Sequence, residues 1–487
     1  MYNFLINTPN LNFLLPNVKN YAWGKKGKES LVYFLWSQNL KSVNAECEIN
    51  KQLGNEKLIN VSFAELWFGT HSTSDNIVLT NNAKGLHIPL RNFLVNQIEM
   101  NLNQAHIVSC DLTFIMKILS IRKPLSLQCH PDKHNATKLH EKYPLLYPDA
   151  NHKPEMGIVI SNEAQILCGF RPYEEFLKIL NNITPLYSFY NTLCCDISET
   201  SYLLSSVNCT KERNLYQSIL TKTLNATSME ITTLFNQIEE FSTRHKSNAE
   251  LPFVVTSSLK LFESLKNEFV QDNACLCCFF LNHFHLKTGD AIYIPVNVLH
   301  TYLIGDIIEC MAASDNVIRC GLSNKAKDLR SLFKLVDYTV PVTFSCVPED
   351  CGETYIAEDD LKFSHLYIYR TPVSDFQVVL GVLSASCFTK KPLDDLICYP
   401  CIILVLYGTL MVTTESASNT NMRNNGTVLK QGQSVVLQAT DSYYYHNPQH
   451  SSPFYHKKPI QFLGVSMFCS TQLFEDHTIF VISSSRK

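Results

Sequence analysis

Apolar residues in this 487-residue chain change their spacing twice, and that change constrains the fold more than any other feature. From the N-terminus to about Phe170, short apolar runs alternate with Gly, Pro and Asn, as in Leu31 to Leu35, Ile77 to Leu79, Phe114 to Leu119 and Ile158 to Ile160. That is the pattern of short strands. Around Pro172 the spacing turns helical: Phe176, Ile179 and Leu180, then Ile231, Leu234, Phe235, Ile238 and Phe241, recur at intervals of three and four. Strand-like runs return at Cys275 to Leu286, followed by a turn at Thr288-Gly289-Asp290 and the runs Ala291 to Ile294, Tyr302 to Ile304 and Ile307 to Met311. After about Pro341 a second strand-rich block follows, with Val378 to Leu383, Ile402 to Leu410, Val435 to Leu437 and Ile460 to Val465, and with a polar loop at Ser416 to Gly426. The expected fold is therefore mainly β with an α-helical insertion. Residues 1–170 and 271–340 are expected to form one β-domain, 171–270 a helical inserted domain, and 341–487 a second β-domain.

With 45% apolar and 17% charged residues, the chain is not a disordered one. A formal net charge of −3 removes the electrostatic reason to expect nucleic acid or an anionic membrane as partner. The most apolar internal run, Cys401 to Tyr407, falls far short of the about 20 residues a membrane helix needs. The opening segment is broken by Asn and Pro and lacks a basic start, so no signal peptide is expected. The 18 cysteines are scattered, some as adjacent pairs, which does not suit a disulfide framework. They read as reduced thiols in a cytoplasmic protein.

The chemistry begins at LSLQCHPD (Leu125 to Asp132). As a strand, it puts Ser126, Gln128 and His130 on one face and Leu125, Leu127 and Cys129 on the other. The polar face can hold a metal; a solvent-exposed face accounts for the pair equally well. NHKPE (Asn151 to Glu155) adds a carboxylate before the next apolar run. In GDAIYIPVNVLH, the turn at Gly289, then Pro295 and His300, follow the second motif of cupin barrels, with Asn297 in place of its second glycine. Gln128, His130, Glu155 and His300 together offer two imidazoles, a carboxylate and an amide oxygen, a set that suits zinc or a similar divalent ion.

YAWGKKG (Tyr21 to Gly27), AELWFGTH (Ala64 to His71), KILSIRKPLSLQCHPDK (Lys117 to Lys133), YPDANHKPEM (Tyr147 to Met156), LCGFRP (Leu167 to Pro172) and IECMAASDNVIRCGLSNK (Ile308 to Lys325) resemble type I phosphomannose isomerases, in family order over about the first 340 residues. The resemblance implies two cupin (jelly-roll) β-barrel domains with a helical domain between parts of the first. It implies a zinc-dependent enzyme, one zinc ion per chain, interconverting mannose 6-phosphate and fructose 6-phosphate and so supplying GDP-mannose synthesis. The zinc ligands fall on Gln128, His130, Glu155 and His300, and the active-site arginine on Arg319. Lys117, Ser126, Tyr302, Lys325 and Trp23 match substrate-pocket positions, although a core aromatic is the other reading for Trp23 and Tyr302. Candidates for moving the proton between C2 and C1 are Lys153, Asp315 and Glu309. Lys153 with Asp315 is favoured, because a lysine close to a divalent cation loses its proton more easily. The only partner implied is a small sugar phosphate, and the chain is expected to act as a monomer.

Two other functions stay in view. One is a cupin of different chemistry, such as an iron dioxygenase, and the other is a non-catalytic scaffold; the presence of Arg319 and of all four ligands speaks against both. The segment CLCCFFLNHFH, with Cys275, Cys277, Cys278, His283 and His285, looks like a second zinc cluster, but strand alternation turns Cys278 away from Cys275 and Cys277. Cys129 is expected to face away from the metal and to pack in the core.

Overall fold

The computed structural model describes residues 12–42, 57–71, 73–79, 87–100, 111–194, 209–245, 251–339, 349–350, 364–384, 400–413, 427–437, 444–446 and 477–485. The polar segment 416–426, the run Ile460 to Val465 and the division near Pro341 lie outside them.

Strands dominate, in sheets of ten, nine, three and two strands, and helices pack against them. The strand His300–Ala312 organises the ten-stranded sheet. Its first half pairs with Glu163–Phe170 and, at His300, with Gln128 of the strand Leu127–Cys129; its second half pairs with Phe114–Ile121 and Glu155–Val159. The two runs expected here, Tyr302 to Ile304 and Ile307 to Met311, are thus one strand with a bend. Gly305 sits at the bend with φ 130°, and a Cβ there would lie 2.6 Å from the Ala164 Cβ. Glycine alone takes that conformation in that space.

The strand Phe114–Ile121 is buried along its whole length, which accounts for its nearly unbroken apolar sequence. Phe114, Met116 and Ile118 face a core shared with Val378, Leu380, Ile402 and Leu404 of the nine-stranded sheet. The alternate residues Ile115, Lys117, Leu119 and Ile121 point to the opposite face, the side of the candidate site. The nine-stranded sheet combines strands from both ends of the chain: Asn12–Leu15 pairs with Ser434–Leu437 on one side and with Ile77–Leu79 on the other. Sheet membership therefore crosses the expected division at residues 340–341. Closed barrels were the expectation, yet among the described residues the sheets follow open or branching paths. The branching comes from His300–Ala312, which changes pairing partners on either side of its Gly305 bend.

Two short apolar runs were assigned the wrong element. Leu31 to Leu35 begins the helix Leu31–Ser42, whose buried Val32, Leu35, Trp36 and Leu40 keep helical spacing. Cys275 to Phe279 belongs to the 3-10 helix Asn273–Phe279, capped by Asp272 accepting from the Ala274 amide at 3.0 Å, and the strand Leu281–Lys287 starts after it. Runs of about five apolar residues do not distinguish a buried strand from a buried helix.

The helices Tyr173–Asn182, Thr184–Cys194, Cys209–Asn225, Ser228–Arg244 and Phe253–Glu268 lie in sequence between Glu163–Phe170 and Leu281–Lys287, two strands that pair with each other. Ser228–Arg244 buries Ile231, Leu234, Phe235, Ile238 and Phe241, and a reciprocal Thr227/Glu230 capping box satisfies its first amides. These helices share one core with Leu127, Cys129, Leu167 and Phe170 of the strands. Among the described residues no helix is long and apolar enough to cross a membrane.

Candidate active site

The four expected ligand positions lie in or beside short strand segments. Glu155 opens Glu155–Val159, His300 opens His300–Ala312, Gln128 lies in Leu127–Cys129, and His130 follows directly after it. Antiparallel pairing sets the Cα of Gln128 opposite both His300 and Arg319, so backbone register joins residues remote in sequence.

His130 Nε2 lies 3.1 Å from Glu155 Oε1, and His300 Nε2 lies 3.3 Å from Glu155 Oε2. All three side chains are buried, and their nearest ligand atoms fall within 4.8 Å of one another. His130 Nδ1 lies 2.7 Å from the Asn316 carbonyl and His300 Nδ1 lies 2.9 Å from the Val298 carbonyl. A carbonyl only accepts, so each Nδ1 carries the proton and each Nε2 presents a lone pair. Burial, followed by the nearby charge of Lys153, holds His130 down at about 4 and so neutral at pH 7. Burial alone would raise Glu155, but the charge of Lys153 outweighs it and holds the carboxyl well below its ordinary value. Two lone pairs and a carboxylate thus converge in a buried space, and His130 Nε2, His300 Nε2 and Glu155 Oε2 have no hydrogen-bond partner there. Buried acceptors gathered in this way are costly without a positive charge among them, and the donor set fits zinc.

Ser126 donates from Oγ to Gln128 Oε1 at 2.9 Å. Cys129, between Gln128 and His130, packs with the helices, and burial pushes its thiol up to about 12. Cys275, Cys277 and Cys278 are likewise buried in that core, and the described residues hold no metal-competent group besides His130, Glu155 and His300.

Around this centre stand the other expected residues. Lys153 Nζ is 3.1 Å from Glu155 Oε1. Lys117 faces Glu309 across paired strands at 2.8 Å and lies 4.6 Å over the Trp67 ring, whose Nε1 donates to Glu65. Burial opposes the charge on Lys117, but Glu309, Glu65 and Glu155 together raise its pKa above the ordinary lysine value. Lys325 Nζ lies 5.0 Å over the Tyr21 ring, which stacks on Trp23 at 6.0 Å. Burial raises the Tyr21 hydroxyl, and it also senses Glu65, Lys117, Asp315 and Arg319, so these groups share one neighbourhood. Arg319 is lowered by burial, and its Nε is buried without a partner. Trp23 packs on the cluster containing Leu119, Val298 and Tyr302. Tyr302 is fully enclosed in that cluster, its hydroxyl unpartnered and set against Gly157, where a Cβ would be 2.8 Å away.

Asp315 is engaged by a residue the sequence did not single out: His71 Nε2 lies 2.5 Å from its Oδ2. The Thr73 amide donates to His71 Nδ1 at 3.2 Å, so Nε2 carries the proton that Asp315 accepts. Beside this pair opens a cavity of about 440 Å³, lined by residues that include Arg91, Asp149 and Asp375. His71 and Asp149 both stand inside segments quoted above, AELWFGTH and YPDANHKPEM, but His71 and Asp315 are 244 positions apart and only folding pairs them.

Residues 11–173 match the family model for the catalytic domain of phosphomannose isomerase type I. Human mannose-6-phosphate isomerase is 30% identical over 432 residues, which cover 87% of this chain and 94% of that protein. Mannose-6-phosphate isomerase 1 of Arabidopsis thaliana is 28% identical over 83% of this chain and 85% of its own length. Among solved structures, zinc-bound holo mannose 6-phosphate isomerase superposes with TM-score 0.62 at 19% identity, covering 98% of this chain and all of the other. A point mutant of phosphomannose isomerase from Salmonella typhimurium superposes with TM-score 0.65 at 19% identity over the same share of this chain. At that identity the structures establish the fold. The extent of the human match, on a chain whose strand ends gather His130, Glu155 and His300, settles its kinship: the chain belongs to the type I phosphomannose isomerase family.

Proposed function

We propose that this protein is a zinc-dependent isomerase of D-mannose 6-phosphate and D-fructose 6-phosphate, holding one zinc ion per chain and working as a monomer in the cytoplasm. The observation that carries the reading is the buried convergence of His130, Glu155 and His300 in a member of this family. Gln128, register-opposite His300, completes the ligand set. When bound, the metal supplies a Lewis acid for the negative charge that develops on O1 and O2 of the sugar.

The protein's own groups account for the rest. A base takes the C2 proton of the open-chain aldose, and the freed electron pair forms the C1–C2 double bond while the carbonyl oxygen at C1 gains a proton. The resulting cis-enediol then receives a proton at C1 and releases the one on O2, leaving the ketone at C2. Lys153, 3.1 Å from Glu155, is our candidate for the base, with Asp315 as its partner and Glu309 as the next candidate. Arg319 carries a permanent charge in a fork suited to a phosphate dianion, Lys325 lies near enough to sense that charge, and Lys117 and Ser126 are the further candidates for holding the sugar phosphate. Trp23 and Tyr302 would shape the apolar side of the pocket. The trio alone also suits ferrous iron. Gln128 and the cations grouped at Tyr21 favour the isomerase.

We further propose that 1–170 and 271–340 make up a catalytic cupin unit, that 171–270 is a helical insertion, and that 341–487 is a cupin-like unit. The pairing of the two strands flanking the helices supports the insertion. A coupled assay of mannose 6-phosphate turnover, with and without a chelator, tests the function. Turnover lost on chelation and restored by zinc is expected; a zinc-replete protein without turnover overturns the reading.

A further inference from the structure

The Asp149 carboxylate collects donors from a loop and from its own turn. Oδ1 accepts from Ser314 Oγ at 2.8 Å, Asn316 Nδ2 at 3.0 Å and the Asn151 amide at 2.9 Å, and Oδ2 accepts from the Asp315 amide at 2.7 Å. Asn316 Nδ2 also donates to the Asp149 carbonyl at 2.7 Å. Ser314 and Asn316 are buried, so these bonds fix the backbone of 314–316 away from competing water. The next group along that backbone, the Asn316 carbonyl, is the acceptor for His130 Nδ1 at 2.7 Å.

We propose that Asp149 is a positioning residue for the metal centre: by gripping 314–316 it aims the Asn316 carbonyl, which keeps the His130 proton on Nδ1 and the Nε2 lone pair on the metal. The inference rests on the metal reading given above. A neutral imidazole has one proton to place, and losing the Nδ1 acceptor frees it to move to Nε2, where it blocks coordination. An acceptor-only carboxylate is required here. An asparagine of the same shape turns its NH2 either toward the Asp315 amide or toward the donors at Oδ1.

Zinc affinity of the metal-free protein, measured by competition with a chromophoric chelator, tests this without reference to turnover. Asp149→Asn is expected to weaken zinc binding roughly 10- to 100-fold, the usual effect of removing a partner that orients a ligand. Ser314→Ala, which removes one donor and is milder to the fold, is expected to weaken it less. Asn39→Ala removes a buried amide that holds the Leu14 and Gly432 carbonyls in the other sheet, and is expected to lower the Tm with zinc affinity unchanged. A folded Asp149→Asn protein with affinity within about twofold of wild type overturns the inference. Should that variant not fold, unchanged affinity in Ser314→Ala overturns it equally. Wild-type protein without zinc affinity overturns the metal reading itself, and this inference with it.

Discussion

Lys153 is buried to 7% exposure and stands 3.1 Å from a carboxylate that belongs to the candidate metal centre. As the base it must exchange the C2 hydrogen of the substrate with solvent. Lys153→Met is expected to abolish that exchange, followed by NMR in deuterated buffer, while zinc content stays full. Exchange at the wild-type rate removes Lys153 from the role. A different histidine governs a pH effect on stability. Burial, followed by the charges of His285 and Arg171, holds His283 at about 4, against 6.5 when unfolded. Between those values the unfolded chain binds more protons than the folded one, so stability is full above pH 6.5 and falls as the pH drops toward 4. His283→Gln is expected to flatten the decline of Tm with acid in that window; an unchanged slope removes His283 as its source. At this scale the sequence was informative about residue types, with candidate ligands, cations and carboxylates all standing in quotable segments. It did not disclose partners such as His71 for Asp315 or Asp149 for the 314–316 backbone, because both are made by chain crossings far apart in sequence.

Among the elements, His300–Ala312 carries the most consequence, since it serves two sets of partners on either side of Gly305. Gly305→Ala forces a side chain into a left-handed conformation and within 2.6 Å of the Ala164 Cβ. A loss on the order of 1–3 kcal/mol is expected, with zinc affinity lowered because His300 opens the same strand, as read by denaturant titration and chelator competition. Unaltered stability means that the bend is not held by this glycine. The sequence shows two runs here because Gly305-Asp306 interrupts the apolar residues, and nothing local separates such an interruption from a bend within a ladder. The helix Ser228–Arg244 was legible in advance, because the spacing of its five core positions is a local property. The helix Leu31–Ser42 was not, because its first five residues are as apolar as a strand and its helical face emerges only at Trp36 and Leu40.

For the molecule as a whole, the cost of gathering His130, Glu155 and His300 in a buried space without a cation implies coupling between metal and stability. Zinc at about 100 times its Kd is expected to add about 2.7 kcal/mol to the unfolding free energy, seen as a rise in Tm that chelator reverses. A Tm indifferent to zinc contradicts a metal centre built from these residues. The wider arrangement was the least legible part. Strand-rich and helical blocks followed from periodicity, since burial of one face imposes a period of two on strands and 3.6 on helices. The entry of Asn12–Leu15 into a sheet with Ser434–Leu437, and the branching of the ten-stranded sheet, did not follow. What the sequence by itself determined was the alternation of strand and helix blocks, the candidate ligands and cations, and the family, because all of these are carried by short contiguous segments. The tertiary structure alone decided which strand edges meet and which imidazole proton points where, because pairing register and buried hydrogen bonds are fixed by contacts between segments that the chain brings together only on folding.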